Sequence, residues 1–336
     1  MATLSDVAHL AGISLSTASR ALNGSRDRVV SPNLVARATE AARQLNYAPN
    51  AAAQTMARGH STIIELIVND IRDPYFSSVA AGVMGRANES GYIVMLATTL
   101  HDREALIPLI NALRQQRPEA LLIAGGFWKE PAYLNRVKEA LEDFQTSTGS
   151  SVCLIGQASL GFHAVTIRNR AGAHALGSEL AKQGFTTAAI LAGPELHPTA
   201  AKRTRGFVEG FSKSGRVLAQ IRGEFTRDGG YEAMKTVLKM EPLPSLVFAV
   251  TDVMAIGALA AAREQGVRVP EDLALAGFDD IPTLMDVDPG LTTVRVPMES
   301  LGSAAVNLVL QPPQSEPTTV TLSATPVFRD STRLPH

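Results

Sequence analysis

Apolar residues follow two different rhythms along this chain, and the change falls near residue 60. Between residues 3 and 45 they recur every three or four positions, which predicts short amphipathic helices. After residue 61, short apolar runs alternate with longer helical stretches, which predicts parallel sheets covered by helices. The chain is therefore predicted to divide into a small all-helical head and a larger α/β body.

The head is predicted to begin with two helices joined by a tight turn. Thr3 can cap the first helix, Gly12 can end it in a left-handed conformation, and Ser14 can cap the next helix over residues 15–22. A third helix begins at Ser31-Pro32, with proline at its first position. Such a unit can place its second helix in a DNA major groove. A plain helical hairpin has the same spacing, so that alternative stays open.

The second helix keeps several side chains away from its apolar face. Leu15, Ser16, Ser19 and Arg20 are not needed for the head's core. Short polar groups and an arginine near a helix N-terminus can contact base edges and phosphates. We therefore expect this helix to read DNA.

Residues 50–59, NAAAQTMARG, predict a third kind of segment. Asn50 can cap a short helix and Gly59 can stop it, but about eight helical residues are too few to be stable alone in water. Met56 is apolar and has no core to enter, and an apolar wedge between base steps of a minor groove is one use for such a side chain. A plain linker is the alternative.

Charge and composition indicate the kind of partner and the compartment to expect. Residues 1–60 contain six arginines and three acidic residues, net +3, whereas the other 276 residues carry 25 basic and 29 acidic residues, net −4. A basic head on an acidic body fits a polyanionic partner at one end. One cysteine, a polar N-terminus and no apolar run of about 18 residues lead us to expect a cytoplasmic protein with no membrane partner.

The body is predicted to contain two similar doubly wound halves, with a ligand cleft beyond the carboxyl ends of the strands. The predicted strands are residues 63–68, 93–97, 120–124, 152–155, 188–191, 219–223, 246–249 and 274–277. The predicted helices include residues 77–90, 104–116, 171–183, 200–214, 230–239 and 252–265.

Side chains suited to a sugar or a nucleoside follow several of these strand ends. They comprise aromatic rings for stacking, carboxylates and one guanidinium for hydrogen bonding. The residues are Asp70, Asp73, Tyr75, Phe76, Arg203, Phe225, Asp252 and Asp279. Each one alone could be a loop or cap residue, and Asp252 could simply cap the following helix.

Several motifs, in order, resemble the LacI–GalR family of bacterial repressors, and the resemblance covers essentially the whole chain. The head contributes TLSDVAHLAGISLSTASRALNG (residues 3–24), LNYAPN (45–50) and AAAQTMARG (51–59). The body contributes TAAILAGPE (187–195) with Arg203 and Gly206-Phe207 behind it, VTDVMAIGAL (250–259), LALAGFDD (273–280) and VFRDSTRLP (327–335).

The resemblance implies an all-α helix-turn-helix DNA-binding head (residues 1–48), a hinge helix and linker (49–60) and a periplasmic-binding-protein-like α/β body (61–330). The body's two doubly wound parallel-sheet subdomains would comprise residues 61–166 with 297–318, and 167–296 with 319–330. It also implies a homodimer on pseudopalindromic double-stranded operator DNA, a sugar-like effector and no cofactor. The chain ends at His336 without leucine heptads, so we expect a dimer rather than a tetramer.

By the same resemblance, base-reading, phosphate-binding and hinge positions can be placed on this sequence. The implied DNA-binding residues are Leu4, Ser5, Ser14, Leu15, Ser16, Thr17, Ser19, Arg20, Asn23, Ser31, Tyr47, Asn50, Ala53 and Met56.

Two arginines depart from the family's usual pattern. Arg72 replaces a small polar residue before Asp73, and Arg168 stands where many members have aspartate. If both face the cleft, the effector carries a carboxylate or phosphate, as a sugar acid or sugar phosphate does. If both lie at the surface and pair with nearby acids, the sequence gives no reason for an anionic effector. Both hypotheses stay open.

An α/β enzyme, or a solute-binding protein acting on a carbohydrate, is the main alternative. The sequence lacks a Gly-rich dinucleotide loop, a Walker motif, a nucleophile elbow and the His/Cys spacing of a metal site. We therefore predict a ligand-controlled transcriptional regulator, most often a repressor in this family, and not an enzyme.

Overall fold

The computed structural model describes residues 2–23, 30–47, 61–312 and 316–333, and of Asn23 it describes only the backbone. The chain separates into two compact units, Met1–Ser61 and Thr62–His336. The predicted hinge positions Asn50, Ala53 and Met56 lie outside the described residues.

The described part of the head contains three helices, α1 (Leu4–Ala11), α2 (Leu15–Asn23) and α3 (Pro32–Gln44). Thr3 and Asp6 form a reciprocal capping box at the start of α1, and Gly12 ends that helix at φ 60°. The core of the head is built from small side chains. The buried residues are Val7, Ala8, Ala11, Ala18, Ala38 and Ala41.

Twelve strands and eight longer helices form the described body. The strands are β1 (Ile63–Val68), β2 (Ile93–Thr98), β3 (Ala120–Ala124), β4 (Ser151–Ile155), β5 (His163–Ile167), β6 (Thr187–Leu191), β7 (Arg216–Ile221), β8 (Leu246–Ala249), β9 (Ala274–Ala276), β10 (Thr293–Arg295), β11 (Thr319–Leu322) and β12 (Thr325–Val327). The helices are α4 (Pro74–Glu89), α5 (Leu106–Leu113), α6 (Pro131–Thr148), α7 (Asn169–Lys182), α8 (Pro198–Phe211), α9 (Arg227–Val237), α10 (Asp252–Glu264) and α11 (Met298–Val309).

Two parallel sheets organise the body. The first has strand order β11-β5-β4-β3-β1-β2, and the second has order β7-β6-β8-β9. Strands β10 and β12 form a separate antiparallel pair. We call the part built on the first sheet the first half, and the part built on the second sheet the second half.

The chain passes between the halves three times. It leaves the first half after β5, returns at α11, which packs against α4, and leaves again after β11. The last passage corrects our predicted boundary at residue 319, because residues 319–322 pair with β5 in the first sheet. That edge strand is only four residues long and its burial alternates, so its apolar signal is weak.

Elements with weak or displaced patterns were missed. Strand β7 begins at Arg216 rather than at residue 219, and β5, β10, β11 and β12 were not predicted. Helices α6 and α11 were not among the helices named from the sequence. In α6 the buried residues recur every three or four positions, which is the helical period. They are Tyr133, Val137, Leu141 and Phe144.

One buried carboxyl group stands out in the first sheet. Glu65 lies in the middle of β1, is 0% exposed, and neither of its carboxylate oxygens has a hydrogen-bond partner among the described residues. Its strand neighbours are Met95 on β2 and Leu121 on β3. Burial raises the pKa of Glu65 to about 7, since the charged form is poorly solvated there.

None of the described helices is both long enough and apolar enough to cross a bilayer.

Candidate functional site

The first candidate surface lies on the outer side of α2 in the head. Ser14 caps this helix, because its Oγ accepts from the Thr17 amide at 3.1 Å. Leu15 is 53% exposed although it is apolar, and Ser16 beside it is exposed as well. The Arg20 Nε donates to the Ser16 carbonyl at 3.0 Å, and its terminal nitrogens bond to none of the described residues. The helix therefore presents an apolar side chain, a hydroxyl and a guanidinium together.

Other predicted DNA-contact residues also lie at the head's surface or edge. Ser5 and Ser31 are exposed, and Ser31 precedes α3 without using its side chain as a cap. Leu4 and Tyr47 are half-buried, with Tyr47 packed on the head's core. The structure brings Ser14, Leu15, Ser16, Thr17, Ser19 and Arg20 onto one short helix and its cap. Whether they contact DNA remains a prediction.

The second candidate site is a cavity between the two halves of the body, which we call chamber 1. The space between its walls amounts to about 600 Å³ when the open solvent at its mouth is included. Strand ends and helix starts of both halves line it, as expected for ligands of parallel sheets. Six predicted residues line it: Asp73, Tyr75, Phe76, Arg203, Phe225 and Asp279.

Arg203 is the central cation of chamber 1 and is only 3% exposed. Its Nη1 and Nη2 donate to the two carboxylate oxygens of Asp279 at 3.1 and 2.7 Å, and its Nε donates to Asn169 at 2.8 Å. Nη1 also donates to the Val250 carbonyl, and the guanidinium lies 3.9 Å from the centre of the Phe278 ring. Four of five guanidinium N–H donors are therefore engaged, which leaves one for a ligand.

Two residues at the start of α4 supply the opposite wall of chamber 1. The Asp73 carboxylate accepts from the Tyr75 amide at 2.9 Å and caps the helix. Burial raises the pKa of Asp73 to about 6, and the nearby charges of Asp279 and Asp70 add to that shift. Burial also raises the pKa of Tyr75, whose hydroxyl makes no hydrogen bond within the described part of the chain.

Four predicted effector-binding residues are not among the described residues that line chamber 1. Asp70 holds the guanidinium of Arg72, with Nη2 2.7 Å from Oδ2, and the Arg72 side chain is 80% exposed. Arg168 is exposed and precedes α7 without capping it. Since neither arginine lines the cavity, the hypothesis that both face the ligand loses its basis.

Asp252 is the fourth of these residues, and it has a structural role instead. It is fully buried, accepts from Thr293 Oγ1 at 2.6 Å and from the Ile281 amide at 3.1 Å, and so ties down the loop that carries Asp279. Burial, with a contribution from Asp279, raises the pKa of Asp252 to about 7. Thr251, rather than Asp252, caps α10.

Ten lining residues of chamber 1 were not predicted as site residues. They are Asn69, His101, Gly125, Gly126, Gly156, Ile167, Asn169, His197, Thr199 and Thr251. Six of them lie one or two residues after a strand, so the strand ends were a usable signal wherever the strand itself was recognised. His197 was not predictable in this way, since it lies several residues beyond β6, at the start of α8.

No group of three or more His, Cys, Asp or Glu side chains suited to a metal ion occurs in the described ranges.

Two profiles of known families match the chain. The one described as bacterial regulatory proteins, lacI family, matches residues 3–50, and the one described as periplasmic binding protein-like domain matches residues 178–332. Among curated proteins, the HTH-type transcriptional repressor CytR of Escherichia coli K12 is 31% identical over 323 residues, covering 94% of this chain and 91% of CytR.

Solved structures agree in fold. The lac repressor dimer bound to operator and the anti-inducer ONPF is 25% identical, with a TM-score of 0.84 over 98% of this chain and 99% of that chain. The complex of the transcriptional regulator CelR with cellobiose is 27% identical, with a TM-score of 0.69 over 98% of this chain and 100% of that chain.

Proposed function

Because this chain belongs to the LacI family of bacterial regulatory proteins, we propose that it represses genes as a homodimer whose operator affinity is set by a neutral, sugar-like effector in chamber 1. It is a DNA-binding transcriptional repressor that responds to a small molecule, and not an enzyme. The finer parts of the proposal concern which residues read DNA, what the effector is and where two copies meet. We further propose that it acts in the cytoplasm, where operator DNA lies.

The DNA-reading part of the proposal assigns base contacts to α2. Arg20 has unengaged terminal nitrogens that can bind a guanine edge or a phosphate, and Leu15 can contact a thymine methyl group. Ser14, Thr17 and Ser31 can position the head through phosphates. The exposed positions of Leu15 and Ser16, beside the Arg20 guanidinium on one helix, support this assignment.

The effector part of the proposal is carried by the charge balance of chamber 1. Its one arginine, Arg203, is already neutralised by Asp279, while Asp73 adds a further carboxyl. An anion would therefore meet no uncompensated cation among the described lining residues, which makes a sugar acid or sugar phosphate a poor fit. Hydroxyl groups, in contrast, can bond to the free Arg203 N–H, the Tyr75 hydroxyl and the Asp73 carboxylate, with Phe76 and Phe225 offering aromatic contact.

A second copy of the chain is proposed to dock on the open edge of the first sheet. Strand β2 is at that edge, and its apolar side chains Ile93, Met95 and Leu96 are 66%, 42% and 36% exposed. Met84, on the helix that packs against β2, is exposed as well. Natural proteins cover such an apolar edge, because it would otherwise pair with other chains.

Control of DNA binding is proposed to be a population shift. The effector bridges residues of both halves in chamber 1, so it favours the body conformation in which those residues converge. It can change operator affinity only by its differential affinity for the two body conformations. The sign of the affinity change, release from DNA or tighter binding, is read from the operator titration.

The experiment that tests this function begins with the operator. Purified protein selects sites from random double-stranded DNA, and the winning sites are then titrated by fluorescence anisotropy with and without candidate sugars, sugar acids and nucleosides. We expect pseudopalindromic sites and a shift of affinity by a neutral compound, together with sedimentation as a dimer. Selection of no sequence would contradict the DNA-reading proposal, and a response only to sugar acids or phosphates would contradict the neutral effector.

A further inference from the structure

The buried carboxyl group of Glu65 lies one strand away from the edge at which a second copy is proposed to dock. Its two carboxylate oxygens have no hydrogen-bond partner among the described residues. Asp73, Asp252 and Asp279 also have a raised pKa, but each of them accepts at least one hydrogen bond. Glu65 is not among the described residues that line chamber 1, so the effector site does not account for it.

The side chain of Glu65 shares one face of the first sheet with side chains of the edge strand β2. In the parallel register Glu65 stands opposite Met95, and Ile63 stands opposite Ile93. Neighbouring strands are about 4.8 Å apart, so the Met95 side chain lies directly beside the Glu65 carboxyl group. Leu121, on the other side of Glu65, is fully buried, whereas Met95 is 42% exposed. Water at the sheet edge is therefore separated from Glu65 by one side chain.

No cation near this face of the sheet compensates Glu65. The residues of β1 and β2 that share the face are apolar, and α5 covers it with apolar side chains. The charged residues of β3's start, of α5 and of the turns that flank α5 are Glu119, Arg103, Glu104, Arg114 and Arg117. Helix α6, which packs on α5 and β4, has only exposed charged residues. Burial alone raises the pKa of Glu65, so none of these cations stabilises its charged form.

Docking on β2 changes the surroundings of Glu65 without touching it. A second copy covers the exposed Met95 and Ile93, and it replaces water by protein at a distance of about two strand spacings, or about 10 Å, from the carboxyl group. Removal of water disfavours the charged form of a carboxyl group. The pKa of Glu65 should therefore be higher in the dimer than in the single chain.

We propose that two copies of this chain take up protons at Glu65 when they associate, so that the dimer is tighter in slightly acidic than in slightly alkaline solution. The inference rests on the proposed function, since it assumes that the copies meet at the β2 edge. The stabilisation of the dimer is complete below the pKa of Glu65 in the single chain. It is lost as pH rises through the higher pKa in the dimer. An operator with two half-sites is bound by the dimer, so acidification strengthens repression at low protein concentration.

The test is the dissociation constant of the dimer, measured on the full-length protein at several pH values and constant ionic strength. Fluorescence-detected sedimentation measures this constant from nanomolar to micromolar protein concentration. We expect the dissociation constant to rise by about threefold to tenfold between about pH 6 and about pH 8, since Glu65 of each protomer loses its proton over this range.

Two variants remove the titrating group. Glu65→Gln keeps the shape of the side chain, and Glu65→Leu removes its polar atoms from the apolar cluster around Leu121, so the second variant serves if a buried amide prevents folding. Both should keep the tight dimer of acidic solution at every pH. Glu89→Gln is the control, because Glu89 is an exposed carboxylate on α4, the helix that packs against β2. This variant should show the pH dependence of the wild-type protein.

Three results would overturn the inference and leave the proposed dimer intact. The first is a dissociation constant that does not change with pH. The second is a dissociation constant that falls as pH rises, because the second copy would then supply a cation to Glu65. The third is a wild-type pH dependence in both Glu65 variants, which would place the titrating group elsewhere. Sedimentation as a single chain at every pH would instead contradict the dimer of the proposed function, and the inference with it.

Discussion

The head and the body place their functional polar groups in opposite environments. In the head, Ser16 and Arg20 lie at the surface, and among the described residues they bond only to their own helix and its cap Ser14. In the body, Arg203, Asp279 and Asn169 are buried and hold one another across different elements. A DNA-reading surface must stay open to a large partner, whereas a ligand cavity must be arranged before a small molecule enters. Substitutions should therefore damage binding in the head and folding in the body.

The largest effect is expected from breaking the buried ion pair of chamber 1. Arg203→Ala leaves the Asp279 carboxylate buried without its counter-charge, which should cost about 3–5 kcal/mol of the free energy of unfolding. Denaturant melts of the full-length protein measure this. Arg170→Ala is the matched control, because Arg170 pairs with Glu209 at the surface and should cost less than about 1 kcal/mol. Equal losses of unfolding free energy in the two variants would contradict the difference between a buried and a surface ion pair.

The next effect concerns pH and the buried Glu65. Its pKa is about 7 in the folded state and near 4.3 when unfolded, so the folded state binds the proton more tightly. The stabilisation is complete below about pH 4 and is lost as pH rises through 7, by about 3–4 kcal/mol in all. Glu65→Gln should remove this contribution to the slope of unfolding free energy against pH. An unchanged slope between pH 5 and 7 would show that Glu65 finds a partner in solution.

A binding effect without a folding effect is expected in the head. Arg20→Ala should weaken binding to the selected operator by about tenfold to a hundredfold, since a base contact contributes about 1–3 kcal/mol. The melting temperature should not change. Arg43→Ala is the control, because Arg43 on α3 is held by Glu40 and has no assigned DNA contact. Anisotropy titrations at fixed salt compare the two, and equal affinities would place the recognition surface elsewhere.

The smallest effect is expected from removing a threonine N-cap, and it can be compared between the head and the body. Thr3 caps α1 in the head and Thr226 caps α9 in the body, where it accepts from the Gly229 amide at 2.9 Å. Each change to alanine should cost about 1 kcal/mol. In the head, whose core consists mostly of alanines, amide exchange in α1 should become about fivefold faster. Amides of α9 are supported by the larger body core and should change less.

Features that depend on neighbouring residues could be predicted from the sequence, whereas contacts between residues far apart in the sequence could not. Capping at Thr3 and the left-handed Gly12 are local, and they could be predicted from neighbouring residues. The family assignment and the paired parallel-sheet body were also confirmed. His197 and Gly126 meet across the cleft from positions 71 residues apart, so no local pattern indicates the contact. Arg72 was ambiguous because its partner Asp70 had itself been assigned to the ligand.

The three passages of the chain between the halves of the body have a consequence for how such proteins can be recombined. The first half comprises β1 to β5, α11 and β11, and the second half comprises most of what lies between and after them. No single cut in the gene separates one half from the other, so a chimaera that exchanges one half needs three matched junctions. A new head can be joined at one junction near residue 61. Shuffling should therefore exchange DNA specificity readily, while the ligand cleft changes mainly by substitution within one inherited body.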